Sequence, residues 1–262
     1  MSERVTISLE AGVADVRLNR PEKLNALDPA MFAGITRALS ELQSTRGLRV
    51  VVLSGEGRAF CAGLDMASMA GLGAATTLTD RTHGQANLFQ HVAWGFRTLA
   101  VPVIAAIHGV ALGGGLQIAS GADVRVAHPE SRLSIMELKW GIVPDMAGIA
   151  LWRTLVRDDV LRELTYTNRE ISGVEAVHLG FATRVADDPR AEALALAREI
   201  ASKNPDAIRG AKRLYNLAAD ADSATLLLAE SREQKALVGT PNQMEAVVAN
   251  MQKRAPSFSD GE

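Results

Sequence analysis

The chain has 262 residues, of which 47% are hydrophobic and 22% charged, and its formal net charge is −2. A chain of this length can bury roughly 70–75% of the surface that its unfolded form exposes, which is enough for one or two domains. The small net charge argues against a partner held by a strong positive field, such as nucleic acid or anionic lipid. No apolar stretch reaches the ~20 residues of a membrane helix, so no membrane partner is expected.

Cysteine and histidine usage narrows the class further. The single cysteine, Cys61, excludes an internal disulfide and is typical of a reducing compartment. The five histidines show no metal-binding spacing such as HExxH, and no metal is expected. The first residues, MSERVTISLE, contain acidic side chains and lack the apolar centre of a signal peptide. These features predict a soluble protein of the cytoplasm.

The first half of the chain alternates predicted strands and helices. Segments 5–9 and 13–18 predict a β-hairpin, and Asp28 with Pro29 matches the N-cap and first position of a helix. A strand at 50–54, a Gly/Ala-rich loop at 55–79, a helix at 80–100 and strands at 102–107 and 122–126 follow. This order predicts a mostly parallel sheet with right-handed crossovers.

From about residue 146 the pattern is almost entirely helical. The predicted helices cover 146–157, 158–166, 173–178, 188–203, 205–219, 222–237 and 241–253, with a short strand near 183–185. The polar tail, 257–262, is expected to fray. We therefore divide the chain into an α/β core at 1–195 and a helical region at 196–262.

The most informative stretch is AAIHGVALGGGLQIASGAD, residues 105–123. A predicted strand ends at Ile107, and three glycines, 113–115, open a segment of helical period. A helix that begins this way presents unpaired backbone N–H groups at its positive dipole end, and glycine lets a substrate approach them closely. Such an end binds an anion, or an oxygen that becomes anionic during a reaction.

A second small-residue turn, RAFCAGLDM at 58–66, also follows a predicted strand. The glycine spacing at 105–123 fits neither GxxxxGK[ST] nor GxGxxG, which weakens the interpretation as a phosphate site. Two turns can each supply one N–H to a single oxygen, which is the minimum for an oxyanion hole. The alternative is that these glycines only allow close packing between helix and sheet.

The two motifs AFCAGLD (59–65) and HGVALGGGLQIASGAD (108–123), together with RPEKLNAL (20–27) and MQKRAPSF (251–258), resemble the crotonase superfamily of enoyl-CoA hydratases and isomerases. The resemblance implies a crotonase fold, in which stacked βαβ turns are followed by a helical C-terminal region that helps form a homotrimer or a dimer of trimers. It also implies an acyl-CoA thioester substrate, as in β-oxidation. No cofactor is implied, because coenzyme A is part of the substrate.

The resemblance also implies site residues. The backbone N–H groups of Leu64 and Gly114 correspond to the oxyanion hole of the family. Family hydratases carry two glutamates at the positions of Gln117 and Glu137. Glutamine cannot transfer a proton as a carboxylic acid does, so the departure at Gln117 puts hydration by two carboxylates in doubt. Gln117 could still position a water or a substrate hydroxyl.

Asp145 is a second carboxylate, eight residues after Glu137. Family hydratases commonly have glycine there, whereas the dienoyl-CoA isomerase branch has an aspartate that moves protons. An aspartate here also resembles the nucleophile of the 4-chlorobenzoyl-CoA dehalogenase branch, whose aromatic pocket and histidine find no match. The alternatives are that Asp145 only caps a helix, and that Glu137 pairs at the surface with Lys139 or Arg132.

Coenzyme A binding is likewise implied by resemblance, and the residues concerned are Lys23, Leu24, Asn25, Ala26, Ala62, Gly63, Asp65 and Lys253. Among them, Asp65 is expected to fix its turn rather than take part in chemistry. The Gly/Ala-rich loop at 67–79 is expected to cover the acyl chain.

Three functions are carried forward. The first is an enoyl-CoA or dienoyl-CoA isomerase in which Glu137 and Asp145 move protons. The second is an enoyl-CoA hydratase in which Gln117 or Asp145 replaces the missing glutamate. The third is a non-catalytic relative that binds CoA esters or RNA. The small net charge argues against RNA binding.

Overall fold

The structure is a computed structural model that describes residues 3–69 and 77–260. Its strands are β1 (Val5–Glu10), β2 (Val13–Leu18), β3 (Val50–Gly55), β4 (Val103–Ile107), β5 (Val110–Leu112), β6 (Val124–Ala127), β7 (Arg132–Ser134), β8 (Ile171–Ser172) and β9 (Arg184–Val185). Its helices are α1 (Pro29–Ser44), α2 (Met66–Met69), α3 (Leu88–Thr98), α4 (Gly114–Ser120), α5 (Gly148–Trp152), α6 (Asp158–Thr167), α7 (Gly173–Leu179), α8 (Pro189–Ala201), α9 (Pro205–Ala218), α10 (Ser223–Leu237) and α11 (Pro241–Met251). Short 3₁₀ turns occupy Pro21–Lys23 and Glu137–Trp140.

Two sheets form within the described residues. The larger has the order β1-β2-β3-β4-β6-β9, in which β1 is antiparallel to β2 and every later pair is parallel. The smaller has the order β5-β7-β8, with β5 parallel to β7 and β8 antiparallel to it. The predicted α/β class and mostly parallel sheet are confirmed, and so is the opening hairpin.

The central strands are apolar on both faces because both faces are covered. Every residue of β3 and β4 is buried, as expected for parallel strands between helical layers. On one side the sheet packs with the apolar face of α1, including Phe32, Ile35 and Leu39. On the other side the alanines of α8 pack on valines of the sheet and on Ile104. The boundary predicted after residue 195 falls inside α8, and the two-part division stays a prediction.

Two predicted helices are shorter than expected. The helix predicted at 80–100 covers only 88–98, because Asn87 and Gln90 form a reciprocal capping box that starts α3 at Leu88. The helix predicted at 146–157 is the five-residue α5, which begins at Gly148 after Ala147 adopts a left-handed conformation with φ +70°.

The prediction of a frayed tail is wrong for residues 257–260. The Ser257 N–H donates to Glu245 Oε1 at 2.7 Å, and the Asp260 carboxylate accepts from Arg49 Nε at 2.8 Å. The same guanidinium donates to the Phe258 carbonyl at 3.0 Å. The polar tail is therefore held by Glu245 of α11 and by Arg49, which precedes β3.

Within residues 3–69 and 77–260, no helix combines the length and apolar character needed to cross a membrane.

Candidate active site

The smaller sheet brings the two glycine-containing motifs together. The Cys61 N–H donates to the Val110 carbonyl at 3.0 Å, and the Leu112 N–H donates back to the Cys61 carbonyl at 3.1 Å. The turn at 59–65 therefore runs alongside β5, which leads directly into α4. The sequence predicted one strand followed by the glycine helix, and the intervening strand β5 was missed.

The N–H of Leu64 is directed away from Leu27, with which Leu64 forms an isolated parallel bridge. The Leu27 N–H donates to the Gly63 carbonyl at 2.8 Å, and the Leu27 carbonyl accepts from the Asp65 N–H at 3.0 Å. In a parallel bridge of this kind, Leu27 uses the polar groups on either side of Leu64, so those of Leu64 face the opposite way. Among the described residues no backbone acceptor takes the Leu64 N–H.

Gly114 is the first residue of α4, where backbone N–H groups have no partner within the helix. A Cβ placed on Gly63 would lie 3.6 Å from the Gly114 nitrogen, so the two turns are in contact. A Cβ on Gly114 itself would lie 2.8 Å from Met146 Sδ. The structure thus brings both predicted donors to one place, and their role in binding a thioester oxygen stays a prediction.

Glu137 lies beside these turns and is buried at 6% exposure. A Cβ on Gly113 would lie 3.2 Å from Glu137 Oε1, which accepts from Gln117 Nε2 at 2.6 Å. Glu137 Oε2 is buried and has no hydrogen-bond partner in the described part of the chain. The alternative of a surface pair with Arg132 is wrong, because Arg132 pairs with Glu170 at 2.6 Å.

Both candidate proton carriers have raised pKa values. Burial raises the pKa of Glu137, backbone N–H groups and Gln117 lower it in part, and the charge of Asp145 raises it further. Desolvation also raises the pKa of Asp145, although its side chain remains exposed to solvent. Each carboxyl therefore holds its proton to a higher pH than it would in water.

Gln117 connects Glu137 to the segment that carries Asp145. Its Oε1 accepts from the Met146 N–H at 2.9 Å and from the Gly148 N–H at 2.8 Å. Only the oxygen of an amide can accept two N–H bonds, so the nitrogen faces Glu137 and the orientation of the amide is fixed. The side chain of Gln117 is 1% exposed and lies between the two carboxylate-bearing segments.

The alternative that Asp145 caps a helix is not supported. The helix that follows, α5, has Ala147 as its N-cap and receives no side-chain cap. Asp145 precedes this left-handed residue by two positions, on the segment that Gln117 holds. The exposed carboxylate of Asp145 therefore does not act as a helix cap, which was the structural alternative to a catalytic role.

The segments predicted to bind coenzyme A are fastened to each other. The Ala62 N–H donates to the Leu24 carbonyl at 2.9 Å, which places 23–26 against 62–65. Asn25 is fully buried, and its side chain bonds the backbone of Arg20, Glu56 and Ala59. Lys23 is exposed, whereas Asn25 can offer only its backbone to a ligand. Contact of these residues with coenzyme A stays a prediction.

Asp65 fixes its turn, as expected. Its carboxylate accepts from Arg20 Nη1 at 2.7 Å, and this bond, with help from Ser68, lowers its pKa to about 2. Arg20 was not assigned a role from the sequence, although it begins the quoted motif RPEKLNAL. Because Arg20 joins the two segments, it belongs to the framework of the site.

Lys253 and the loop at 67–79 are the two remaining assignments. Lys253 is exposed just after α11, and no contact in the described ranges joins it to the turns at 59–65 or 113–115. Of the loop expected to cover the acyl chain, 67–79, residues 70–76 lie outside the described residues. Both assignments stay predictions.

The fold is a layered α/β fold, and two of its turns offer backbone N–H groups beside a buried glutamate. This arrangement is typical of enzymes that stabilise an oxyanion during acyl transfer or enolate formation. The chain matches the Enoyl-CoA hydratase/isomerase family over residues 8–261 and belongs to that family. The predicted membership of the crotonase superfamily and the predicted crotonase fold are confirmed.

Known relatives and structures agree with this membership over nearly the whole chain. The chain is 32% identical over 260 residues to "Probable enoyl-CoA hydratase echA8" of Mycobacterium tuberculosis, covering 98% of both. It is 29% identical over 268 residues to the peroxisomal Delta(3,5)-Delta(2,4)-dienoyl-CoA isomerase of Arabidopsis thaliana, covering 98% of this chain and 96% of the relative. The crystal structure of an enoyl-CoA hydratase from Bacillus anthracis superposes with a TM-score of 0.89 at 29% identity, covering 99% and 100%.

Proposed function

We propose that this enzyme moves a carbon–carbon double bond along the acyl chain of an enoyl-CoA or dienoyl-CoA thioester, with Glu137 and Asp145 as proton carriers. The observation that carries the proposal is the contact between Gln117 and Glu137. Gln117 uses its nitrogen on Glu137 and its oxygen on two backbone N–H groups. It is therefore a fixed neutral support rather than a second acid or base.

The same contact argues against hydration. Addition of water to a 2-enoyl thioester needs a water held by a base while an acid protonates the α-carbon. Here Gln117 Nε2 and Glu137 Oε1 are 2.6 Å apart, which leaves no room for a water between them. Asp145 instead supplies a second carboxylate whose exposed side chain can exchange protons with solvent.

The proton balance of the proposed reaction needs no further reactant. For a 3-enoyl thioester, one carboxylate takes a proton from C2, and the electron pair of that C–H bond forms a dienolate whose charge rests on the thioester oxygen. The N–H groups of Leu64 and Gly114 would stabilise this oxygen. The other carboxyl returns a proton at C4, so the double bond ends between C2 and C3. For a 3,5-dienoyl thioester the proton returns at C6.

The pair of raised pKa values suits this exchange. A shift of a double bond requires one base and one acid, that is, one carboxyl in its charged form and one in its protonated form. A raised pKa at each group makes its protonated form easier to reach than in water. After one turnover the two groups have exchanged protonation states, and exposed Asp145 can restore the starting state through water.

Enoyl-CoA hydration is the second candidate, because the relatives are named mainly as hydratases. An assay of three thioesters separates the two: a 2-enoyl-CoA, a 3-enoyl-CoA and a 3,5-dienoyl-CoA, followed by absorbance and product mass. Isomerisation gives a product of unchanged mass from the 3-enoyl or dienoyl ester. A product heavier by one water from the 2-enoyl ester, without isomerisation of the others, would replace our proposal with hydration.

Substitution of the two carboxylates tests their roles. We expect Glu137→Gln and Asp145→Asn each to reduce kcat for isomerisation by about 10²–10⁴-fold, the usual contribution of a positioned proton carrier. Binding of the CoA ester, measured by calorimetry, should persist in both variants. Lys139→Gln, at an exposed position in the same 3₁₀ turn as Glu137, is the control and should keep wild-type kcat. Full activity of Asp145→Asn would remove Asp145 from the mechanism.

A further inference from the structure

We propose that Gln117 is a positioning residue that holds Glu137 and the Asp145 segment in one arrangement through the two ends of its amide. This inference rests on the proposed function for its kinetic consequence, whereas its structural content can be measured without substrate. The geometry is a continuous chain of three hydrogen bonds, from Glu137 Oε1 through the Gln117 amide to the N–H groups of Met146 and Gly148.

The nitrogen end selects which oxygen of Glu137 can carry a proton. Oε1 is occupied by Gln117 Nε2 at 2.6 Å and lies against Gly113, where a Cβ would be 3.2 Å away. Oε2 is buried and lacks a partner among the described residues. An unpartnered buried oxygen is costly unless a ligand completes it, so Oε2 is the atom available to substrate. Gln117 thereby fixes the direction in which Glu137 transfers its proton.

The oxygen end holds a segment that would otherwise be weakly fixed. Ala147 has φ +70°, a conformation that side chains rarely adopt, and α5 begins without a side-chain cap. Gln117 Oε1 bonds the N–H groups on both sides of Ala147. A Cβ on Gly148 would lie 2.7 Å from this oxygen, so only glycine permits the approach. The position of Asp145, one residue before Met146, depends on these two bonds.

Two substitutions separate the two ends. Gln117→Glu keeps an oxygen for the N–H groups of Met146 and Gly148 but replaces the donor to Glu137 by a second carboxyl. Gln117→Met has a similar length and removes both ends. The matched control is Ser120→Ala, which removes a different buried hydrogen bond from the same helix to α5, the one that Ser120 Oγ accepts from Trp152 Nε1 at 2.8 Å.

The first readout is the titration of Glu137, followed by carbon NMR of labelled glutamate in the substrate-free protein. Asp145 is the charged group whose field acts on Glu137, and it is unchanged in all three variants. Loss of an N–H donor to the carboxylate destabilises its charged form, so the pKa of Glu137 should rise by about one unit in Gln117→Met. It should also rise in Gln117→Glu, since two carboxyls in contact must share a proton. Ser120→Ala should leave it unchanged.

The second readout is hydrogen exchange at the Met146 and Gly148 amides. Exchange should become about tenfold faster in Gln117→Met and remain slow in Gln117→Glu and Ser120→Ala. In the isomerase assay, kcat should fall about tenfold or more in Gln117→Met with little change in KM. Gln117→Glu, which keeps the segment fixed, should retain CoA-ester binding.

The outcomes distinguish this inference from the proposed function. An unchanged Glu137 pKa and unchanged exchange in Gln117→Met would overturn the positioning role, whatever reaction the enzyme catalyses. Wild-type kcat in Gln117→Met would overturn it as well. If the pKa and exchange respond as expected but no thioester is isomerised by the wild type, the positioning role stands and the proposed reaction fails.

Discussion

At the scale of single residues, Gly63 shows how tightly the two turns of the site are joined. It has φ +86°, and a Cβ there would lie 2.5 Å from the Leu112 carbonyl oxygen. An alanine would have to push the turn that carries Leu64 away from β5, and Leu64 would move with it. Because the oxygen of an enolate must be met by two N–H groups within hydrogen-bond distance, a small displacement should weaken catalysis strongly.

We therefore expect Gly63→Ala to lower kcat for thioester isomerisation by about 10²–10³-fold, the effect of losing one oxyanion donor. The control is Gly84→Ala, because Gly84 also has a positive φ of +64° but no atom lies within 4 Å of its Cβ position. Both substitutions place an alanine at a positive φ, but only Gly63→Ala also brings a Cβ into collision with a neighbouring atom. Equal kcat values for both variants would contradict the assignment of the Leu64 N–H.

The sequence could supply the candidate residues of the site but not their connections. Leu64, Gly114 and Glu137 follow from motif positions, and the structure brings them together. The link from Gln117 to Met146 and Gly148 joins backbone atoms 29 and 31 residues away, and a backbone N–H leaves no signature in the sequence. The bonds from the buried side chain of Asn25 to two backbone carbonyls are likewise not visible in the sequence.

At the scale of elements, the sequence predicts the long periodic segments and the short strand β9, but it does not predict β5, β7 or β8. The strands β5 and β7 have three residues each, and their pairing joins positions more than twenty residues apart. Such strands have too few residues for an alternation to be visible. The late start of α3 had a signal, since Asn87 and Gln90 have capping-box spacing, but the periodicity of the helix was extended past it.

Lys212 is an element-scale connection that the sequence did not indicate. It lies on α9, is 6% exposed, and donates to the Phe96 and Val101 carbonyls and to Asp123 Oδ2, at 3.3, 2.7 and 2.8 Å. One ammonium group thus joins α9 to the end of α3 and to the residues before β4 and β6. Desolvation lowers its pKa, and the charge of Asp123 opposes that shift.

We expect Lys212→Met to lower the free energy of unfolding by about 2–3 kcal/mol, because it removes the ammonium donor from the Phe96 and Val101 carbonyls and from the half-buried carboxylate of Asp123. Arg213→Met on the same helix is the control, since Arg213 forms an exposed pair with Glu233 and should cost no more than about 1 kcal/mol. Urea unfolding followed by circular dichroism measures both. A similar loss in the two variants would show that Lys212 does not fix these elements.

At the scale of the whole molecule, the C-terminal helices leave apolar surface uncovered. No residue of α10 is buried, although the helix contains Leu226, Leu227 and Leu228. Leu227 is 61% exposed and Leu228 is 52% exposed. Neighbouring leucines on an exposed helix are typical of a surface that another chain covers. This agrees with the homotrimer or dimer of trimers implied by the family resemblance, which stays a prediction.

The assembly can be tested with two substitutions to glutamate, one on each of two opposite faces of α10. Leu227 and Ala236 are nine residues apart, which places them about 180° apart around the helix, and both are exposed. With a chain mass of 27.9 kDa, light scattering after gel filtration should give about 84 kDa for a wild-type trimer or twice that for a dimer of trimers. Leu227→Glu would place a charge in an apolar interface and should shift the mass toward that of one chain at micromolar concentration, whereas Ala236→Glu should not. A wild-type mass near 28 kDa would refute the trimer, and an intact trimer of Leu227→Glu would locate the interface away from this face of α10.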